Sequence, residues 1–111
     1  MQPLAGYVEV RTTLPTRDEA ERLGETLVSR RLAACVHVSG PIHSIYRWEN
    51  QIQHDTEWTC TVKTRAALYS DVERAILALH PYQTPEIIVV DITGGYSSYL
   101  DWLSRETNRS E

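Results

Sequence analysis

The chain has 111 residues, 41% of them hydrophobic and 23% charged, with a formal net charge of −4. A chain this long buries roughly 65% of its unfolded surface, enough for one core without disulfide or metal staples, so a single domain spanning 1–111 is expected. The acidic balance gives no sign of the basic face that phosphate binding needs, so no nucleic-acid partner is expected, and no apolar run approaches the ~20 residues of a membrane span.

Residues 1–6 lack a basic start followed by an apolar core, so no signal peptide is expected and a cytoplasmic location follows as the default. Tyr7 to Thr12 alternates and reads as a strand with Val8 and Val10 on its core face, and Leu14-Pro15 breaks it. Thr16 and Glu19 have capping-box spacing, in which a hydroxyl and a carboxylate three apart satisfy backbone donors. Ala20, Leu23 and Leu27 follow on one helical face, and Arg30-Arg31 suit the helix C-terminus. Ala33 to Trp48 is extended and rich in β-branched residues. Gly40-Pro41 interrupts it, which predicts a bulge or bend in a long strand.

Glu49-Asn50 is a hairpin turn, since Asn tolerates positive φ. The return strand runs from about Gln51 to Thr64, with Trp58, Cys60 and Val62 on one face and Glu57, Thr59, Thr61 and Lys63 on the other. Leu68, Val72, Ala75, Ile76 and Leu79 mark a second amphipathic helix, which Pro81 stops. Glu86 to Ile92 is a strand that is apolar on both faces. Gly94-Gly95 turns the chain into a short terminal helix through Tyr96, Tyr99, Leu100 and Leu103, with Trp102 beside that face; residues 107–111 read as a frayed tail. The order is β-α-β-β-α-β plus a helix, the α+β pattern of a ferredoxin-like split sheet with two helices on one face.

In that topology the last strand lies at a sheet edge. An edge strand with one wet face should alternate, yet Ile87, Ile88, Val89 and Val90 do not, and the 40–64 hairpin is longer than such a sheet needs. Neighbouring copies covering both features make a homo-oligomer the expectation.

Candidate sites follow from chemistry. His80 ends a helix just before Pro81; it serves either as a capping histidine at the negative helix end or as a metal or effector contact. His37, His43 and His54 show no ligand spacing. Cys35 is a soft ligand or a small buried hydrophobe. A turn near Asn50 sets Cys35 opposite residues 63–66, with Cys60 roughly 13 Å away along the strand. A disulfide needs Cα atoms within about 7 Å, so two free thiols are expected. Glu57 and Lys63 share the face opposite the helices with Glu9 and Arg11. Tyr46, Trp48 and Glu49 near the hairpin tip suggest an interface or a binding cleft between subunits; Glu57 and Lys63 are placed in the same cleft, and Tyr82, Glu86 and Trp102 with His80 complete it. Glu57, Lys63 and His80 form an imaginable acid–base set. No G-x-S-x-G, P-loop, H-E-x-x-H or C-x-x-C motif is present, and no enzyme is expected.

Several segments together resemble a known family: Thr12-Thr13-Leu14-Pro15, Leu32-Ala33-Ala34-Cys35-Val36, Ser44-Ile45-Tyr46-Arg47-Trp48-Glu49, Asp55-Thr56-Glu57, Lys63-Thr64, Leu79-His80-Pro81-Tyr82-Gln83-Thr84-Pro85-Glu86-Ile87 and Tyr99-Leu100-Asp101-Trp102. Their order and spacing over about residues 8–103 are similar to the CutA divalent-cation-tolerance proteins. The resemblance implies a ferredoxin-like protomer, a homotrimer and a link to tolerance of copper and other divalent metals, with no enzymatic activity firmly attached. It also implies an architecture similar to the PII signalling trimers, which bind small effectors between subunits; a sensor of that kind, or a structural trimer scaffolding a partner protein, are the alternatives. Family copper sites use a cysteine at the end of the first strand and two consecutive histidines. Here Thr12 and Leu79 stand at two of those positions and only His80 matches, so His80 is the metal contact that the resemblance implies.

Overall fold

A computed structural model describes residues 6–108. Four strands and three helices run in the order β1 (Tyr7–Leu14), α1 (Arg17–Ser29), β2 (Cys35–Trp48), β3 (Gln51–Arg65), α2 (Tyr69–Leu79), β4 (Ile88–Ile92) and α3 (Ser97–Glu106), with a short 3-10 turn leading into α2. The strands form one antiparallel sheet in the order β2-β3-β1-β4.

The core lies on one face of this sheet. Val8, Val10 and Leu14 of β1 and Cys60 and Val62 of β3 meet Ala20, Leu23 and Leu27 of α1 and Val72, Ala75 and Ile76 of α2. Burying a side chain of Leu or Ile size stabilises by about 1.5–3 kcal/mol, and the even-numbered face of β1 and β3 supplies these residues because strand side chains alternate. α3 sits on the opposite face. Tyr7 Oη and Ser104 Oγ are 2.9 Å apart, and Arg65 Nε donates to Thr107 Oγ1 at 2.9 Å.

The local signals act as their chemistry dictates. Glu19 N–H donates to Thr16 Oγ1 (3.1 Å), capping α1. The Thr16 hydroxyl in turn donates to Glu19 Oε1 (3.0 Å), so the carboxylate engages the hydroxyl itself. Glu49 and Asn50 both have positive φ, 52° and 64°, the requirement of a turn whose twist matches the flanking strands. The register breaks between Ser39 and Ile42, at the expected Gly40-Pro41 bulge. A Cβ on Gly40 would lie 2.6 Å from Trp58 Cδ1, so only glycine lets the strand pass this indole.

Three expectations need adjusting. β1 continues to Leu14, because its last two residues still pair with Thr59 and Trp58. β4 begins at Ile88, where pairing with Arg11 starts; Glu86 and Ile87 belong to the preceding loop. Thr107 is not frayed: it is fully buried, its hydroxyl donates to Leu103 O (2.8 Å), and Arg65 grips its side chain and carbonyl. Residues 109–111 of the expected tail, and residues 1–5, lie outside the described residues.

Both sides of the sheet leave apolar strand surface uncovered. β4 pairs with β1 alone and exposes Ile88, Val89 and Val90. β1 ends at Trp58 of β3, so residues 51–57 of β3 pair only with β2. The hairpin therefore leaves the body as a two-stranded arm, with Ile45 and Ile52 more than 60% exposed on it.

Candidate functional site

The segment after α2 crosses the end of β1 and brings His80 and Tyr82 to the base of the arm. His80 ring geometry fixes its tautomer. Tyr82 N–H donates to Nδ1 (3.2 Å), which must then be the acceptor, so Nε2 carries the proton and donates to Thr13 O at 2.8 Å. Both ring nitrogens are thus used, and the ring of Tyr82 lies 4.9 Å away. His80 does not close its own helix through its side chain; it pins the loop to β1.

Tyr82 then reaches Glu57. Its hydroxyl donates to Glu57 Oε2 (2.8 Å), and Ser44 Oγ donates to Oε1 (2.7 Å). Glu57 is only 7% exposed, and a buried carboxylate is tolerable when such donors replace its hydration. Burial, followed by the hydrogen bond to and charge of Glu57, holds the Tyr82 phenol well above its usual range. Tyr46, the next residue along β2 on the same face as Ser44, donates to the Asp55 carboxylate, and that bond is the main cause that raises its phenol. Two carboxylates and two phenols are thereby collected at the base of the arm.

The other expected cleft residues stand elsewhere within one protomer. Lys63 lies six positions from Glu57 along β3, about 20 Å at strand rise, and faces Glu9 Oε2 (3.9 Å) and His37 Nδ1 (3.4 Å). Glu9 also pairs with Arg11 (2.8 Å), so these charges are already matched inside the chain. Trp48 and Glu49 are exposed at the hairpin tip, and Glu86 is exposed in the loop before β4. Trp102 packs its ring 5.6 Å from Tyr99 on α3. Glu57, Tyr82, His80 and Tyr46 come together; Lys63, Trp48, Glu49, Glu86 and Trp102 do not join them in a single chain. Nor do Glu57, Lys63 and His80 meet as an acid–base set, since Lys63 is that far removed.

Sequence reasoning missed Ser44 and Asp55, which counting outward from the two-residue turn would have set beside each other. It also missed a histidine pair: His43 and His54 are diagonal neighbours across the hairpin, with Nε2 and Nδ1 3.0 Å apart. The thiols behave as expected. Cys35 pairs in register with Lys63 and Cys60 with Val38, and both are free. Cys60 is fully buried, donates to Ala20 O, and burial pushes its thiol up to about 11.

The residues at the three positions expected for copper do not fit such a centre. Thr12 is buried on the core face, and its Oγ1 has no hydrogen-bond partner among the described residues. Leu79 offers no donor atom, and His80 has no free lone pair. A soft ion wants thiolate and imidazole together. Among the described residues, no group of three or more His, Cys, Asp or Glu side chains is placed to hold a metal ion.

Comparison with known proteins settles the family. Residues 8–106 match the CutA1 divalent ion tolerance protein family. The chain belongs to this family. The divalent-cation tolerance protein CutA of Thermus thermophilus is 39% identical over 95 residues, which cover 86% of this chain and 92% of that one. The chloroplastic protein CutA of Arabidopsis thaliana is 38% identical over 100 residues, covering 90% of this chain but 55% of the relative; the chain thus spans just over half the length of this plant CutA. The crystal structure of CutA1 from Oryza sativa superposes with a TM-score of 0.92 at 35% identity, covering 98% of this chain and all of that one. Another similar structure, from Archaeoglobus fulgidus, is described as a periplasmic divalent cation tolerance protein (TM-score 0.89, 35% identity, 92% of this chain and 99% of that one), so CutA relatives are assigned to more than one compartment. Among the described residues no helix is long and apolar enough to cross a membrane.

Proposed function

We propose that this CutA chain works as a homotrimeric, non-enzymatic divalent-cation tolerance protein that meets its cation weakly or indirectly, built on a ferredoxin-like protomer. The observation that carries the assembly is the unsupported arm. An isolated two-stranded hairpin is marginally stable in water, yet here residues 42–57 extend past the last strand of the body with Ile45 and Ile52 exposed. The apolar edge strand β4, with Ile88, Val89 and Val90 exposed, is a second surface of the kind that proteins normally blunt or cover. Neighbouring copies that accept the arm and cover this edge answer both.

The weak or indirect metal contact follows from His80. To meet a cation it must give up either the bond to Thr13 O or the one from Tyr82 N–H, and neither Thr12 nor Leu79 stands ready to help. Two free thiols suit a reducing compartment such as the cytoplasm.

Light scattering tests the assembly: a trimer reads three times the 12.7 kDa chain mass, and a monomer overturns it. Calorimetry with Cu(II), Cu(I) and Zn(II) on wild type and His80→Ala tests the metal part. Tight binding that His80→Ala abolishes would contradict weak or indirect contact. A second reading, a PII-like sensor with a small effector between subunits, is favoured by the Glu57–Tyr82–Tyr46–Asp55 group at the base of the arm. A ligand bound only by the folded state raises the melting temperature; a broad metabolite panel without a shift would remove this reading.

A further inference from the structure

We infer that His43 and His54 form a bis-imidazole chelate for a divalent ion of tetragonal preference, Cu(II) or Ni(II), on the face of the arm opposite Glu57. It deepens the divalent-cation reading above and rests on that reading only for the biological sense of the site.

The two histidines meet because of strand geometry. His43 pairs with Thr56 and Ile45 with His54, so the two histidines are diagonal neighbours on one face, while Ser44 and Asp55 between them point to the other. Diagonal pairs of long side chains touch across a sheet. Here His43 Nε2 and His54 Nδ1 converge to 3.0 Å, with ring centroids 5.1 Å apart and planes tilted by 40°.

The 3.0 Å contact is that of a hydrogen-bonded pair, one ring nitrogen donating to the other. Imidazole nitrogens bind first-row ions at about 2.0–2.1 Å, so a small turn of each ring brings both lone pairs onto one ion between them. Imidazole donors in a tetragonal site suit Cu(II) and Ni(II), and these ions also stand high in the divalent affinity order. Metal binding also suits the tautomers. The coordinating atoms give up any shared proton, leaving it on His43 Nδ1 and His54 Nε2. Water fills the remaining coordination positions, so binding is reversible and moderate. Within one protomer both histidines are exposed, beside Ile45 and Ile52 on the same face of the arm.

Titration of the untagged full chain with Ni(II), which thiols do not reduce, tests the site by calorimetry. One ion per chain is expected, with Zn(II) binding more weakly. Loss of even an outer-sphere partner weakens metal affinity about 10- to 100-fold, so His43→Gln and His54→Gln should each weaken Ni(II) binding at least tenfold. His37→Ala, on the body of β2, should leave it unchanged. Electron paramagnetic resonance of the Cu(II) form should show two nitrogen donors in wild type and one in each glutamine variant. Melting curves like that of the wild type would confirm that the variants fold. Absence of Ni(II) binding, unchanged binding in both glutamine variants, or loss in His37→Ala would overturn the inference. A trimer that binds no Ni(II) would sink this site and leave the assembly standing; a monomer that binds Ni(II) through the pair would do the reverse.

Discussion

Tyr82→Phe isolates the contact that joins the loop after α2 to the arm. The substitution keeps the ring against His80 and removes only the hydroxyl, which donates to Glu57 Oε2 at 2.8 Å. Hydrogen bonds to charged groups contribute about 1.5–3 kcal/mol net. Ser44 continues to hold the other carboxylate oxygen and Tyr82 is not fully buried, so about 1–2 kcal/mol is expected at neutral pH. The same hydroxyl sets an alkaline signature. The Tyr82 phenol is raised above its ordinary value of 10.0 by burial first and then by Glu57. A raised pKa means that the unfolded chain loses the proton before the folded one does. The stabilisation is therefore complete below pH 10 and is lost as pH rises above it, at about 1.4 kcal/mol per pH unit. Urea unfolding at fixed protein concentration, repeated from pH 8 to 11, measures both effects. Wild type should start higher and fall more steeply above pH 10 than Tyr82→Phe. Equal stability at pH 8 together with parallel alkaline slopes would refute the role given to this hydroxyl.

Three other substitutions or treatments have defined outcomes. His80→Ala leaves Thr13 O and Tyr82 N–H without their partner, so unfolding should cost about 1–3 kcal/mol less; an unchanged denaturation midpoint would show that the ring does not pin the loop. Gly40→Ala drives a methyl into Trp58 and should destabilise by about 1–3 kcal/mol, visible as a lower melting temperature and altered Trp fluorescence. A thiol reagent at neutral pH should label Cys35 in the folded protein and Cys60 only on unfolding, because Cys60 is fully buried and its thiol pushed up to about 11; mass spectrometry after brief labelling distinguishes the two.

The parts of the fold that local chemistry dictates were legible from the sequence. The Thr16 cap, the Glu49-Asn50 turn and the Gly40-Pro41 bulge each follow from a residue's own conformational or hydrogen-bonding preference, and the turn in turn fixed the strand register that keeps Cys35 away from Cys60. The site was legible only in part. Tyr82 and Glu57 fall in the same expected cleft, but their contact is made by a loop that crosses a strand end, and no periodicity encodes that. Lys63 and Trp102 were grouped with them by face and chain order, whereas distance along a strand and the seat of α3 separate them. His43 and His54 are 11 positions apart, so no ligand spacing announces them; only the hairpin register does. Thr107 read as tail because its neighbours are polar, while its burial depends on Arg65, 42 positions earlier.

The trimer is the claim on which the arm, the apolar edge and the cleft between subunits all depend. Multi-angle light scattering on the purified chain tests it most directly. A mass three times the 12.7 kDa chain, unchanged on dilution, is the predicted result; a concentration-independent monomer, with Ile45, Ile52 and β4 left facing water, would contradict it.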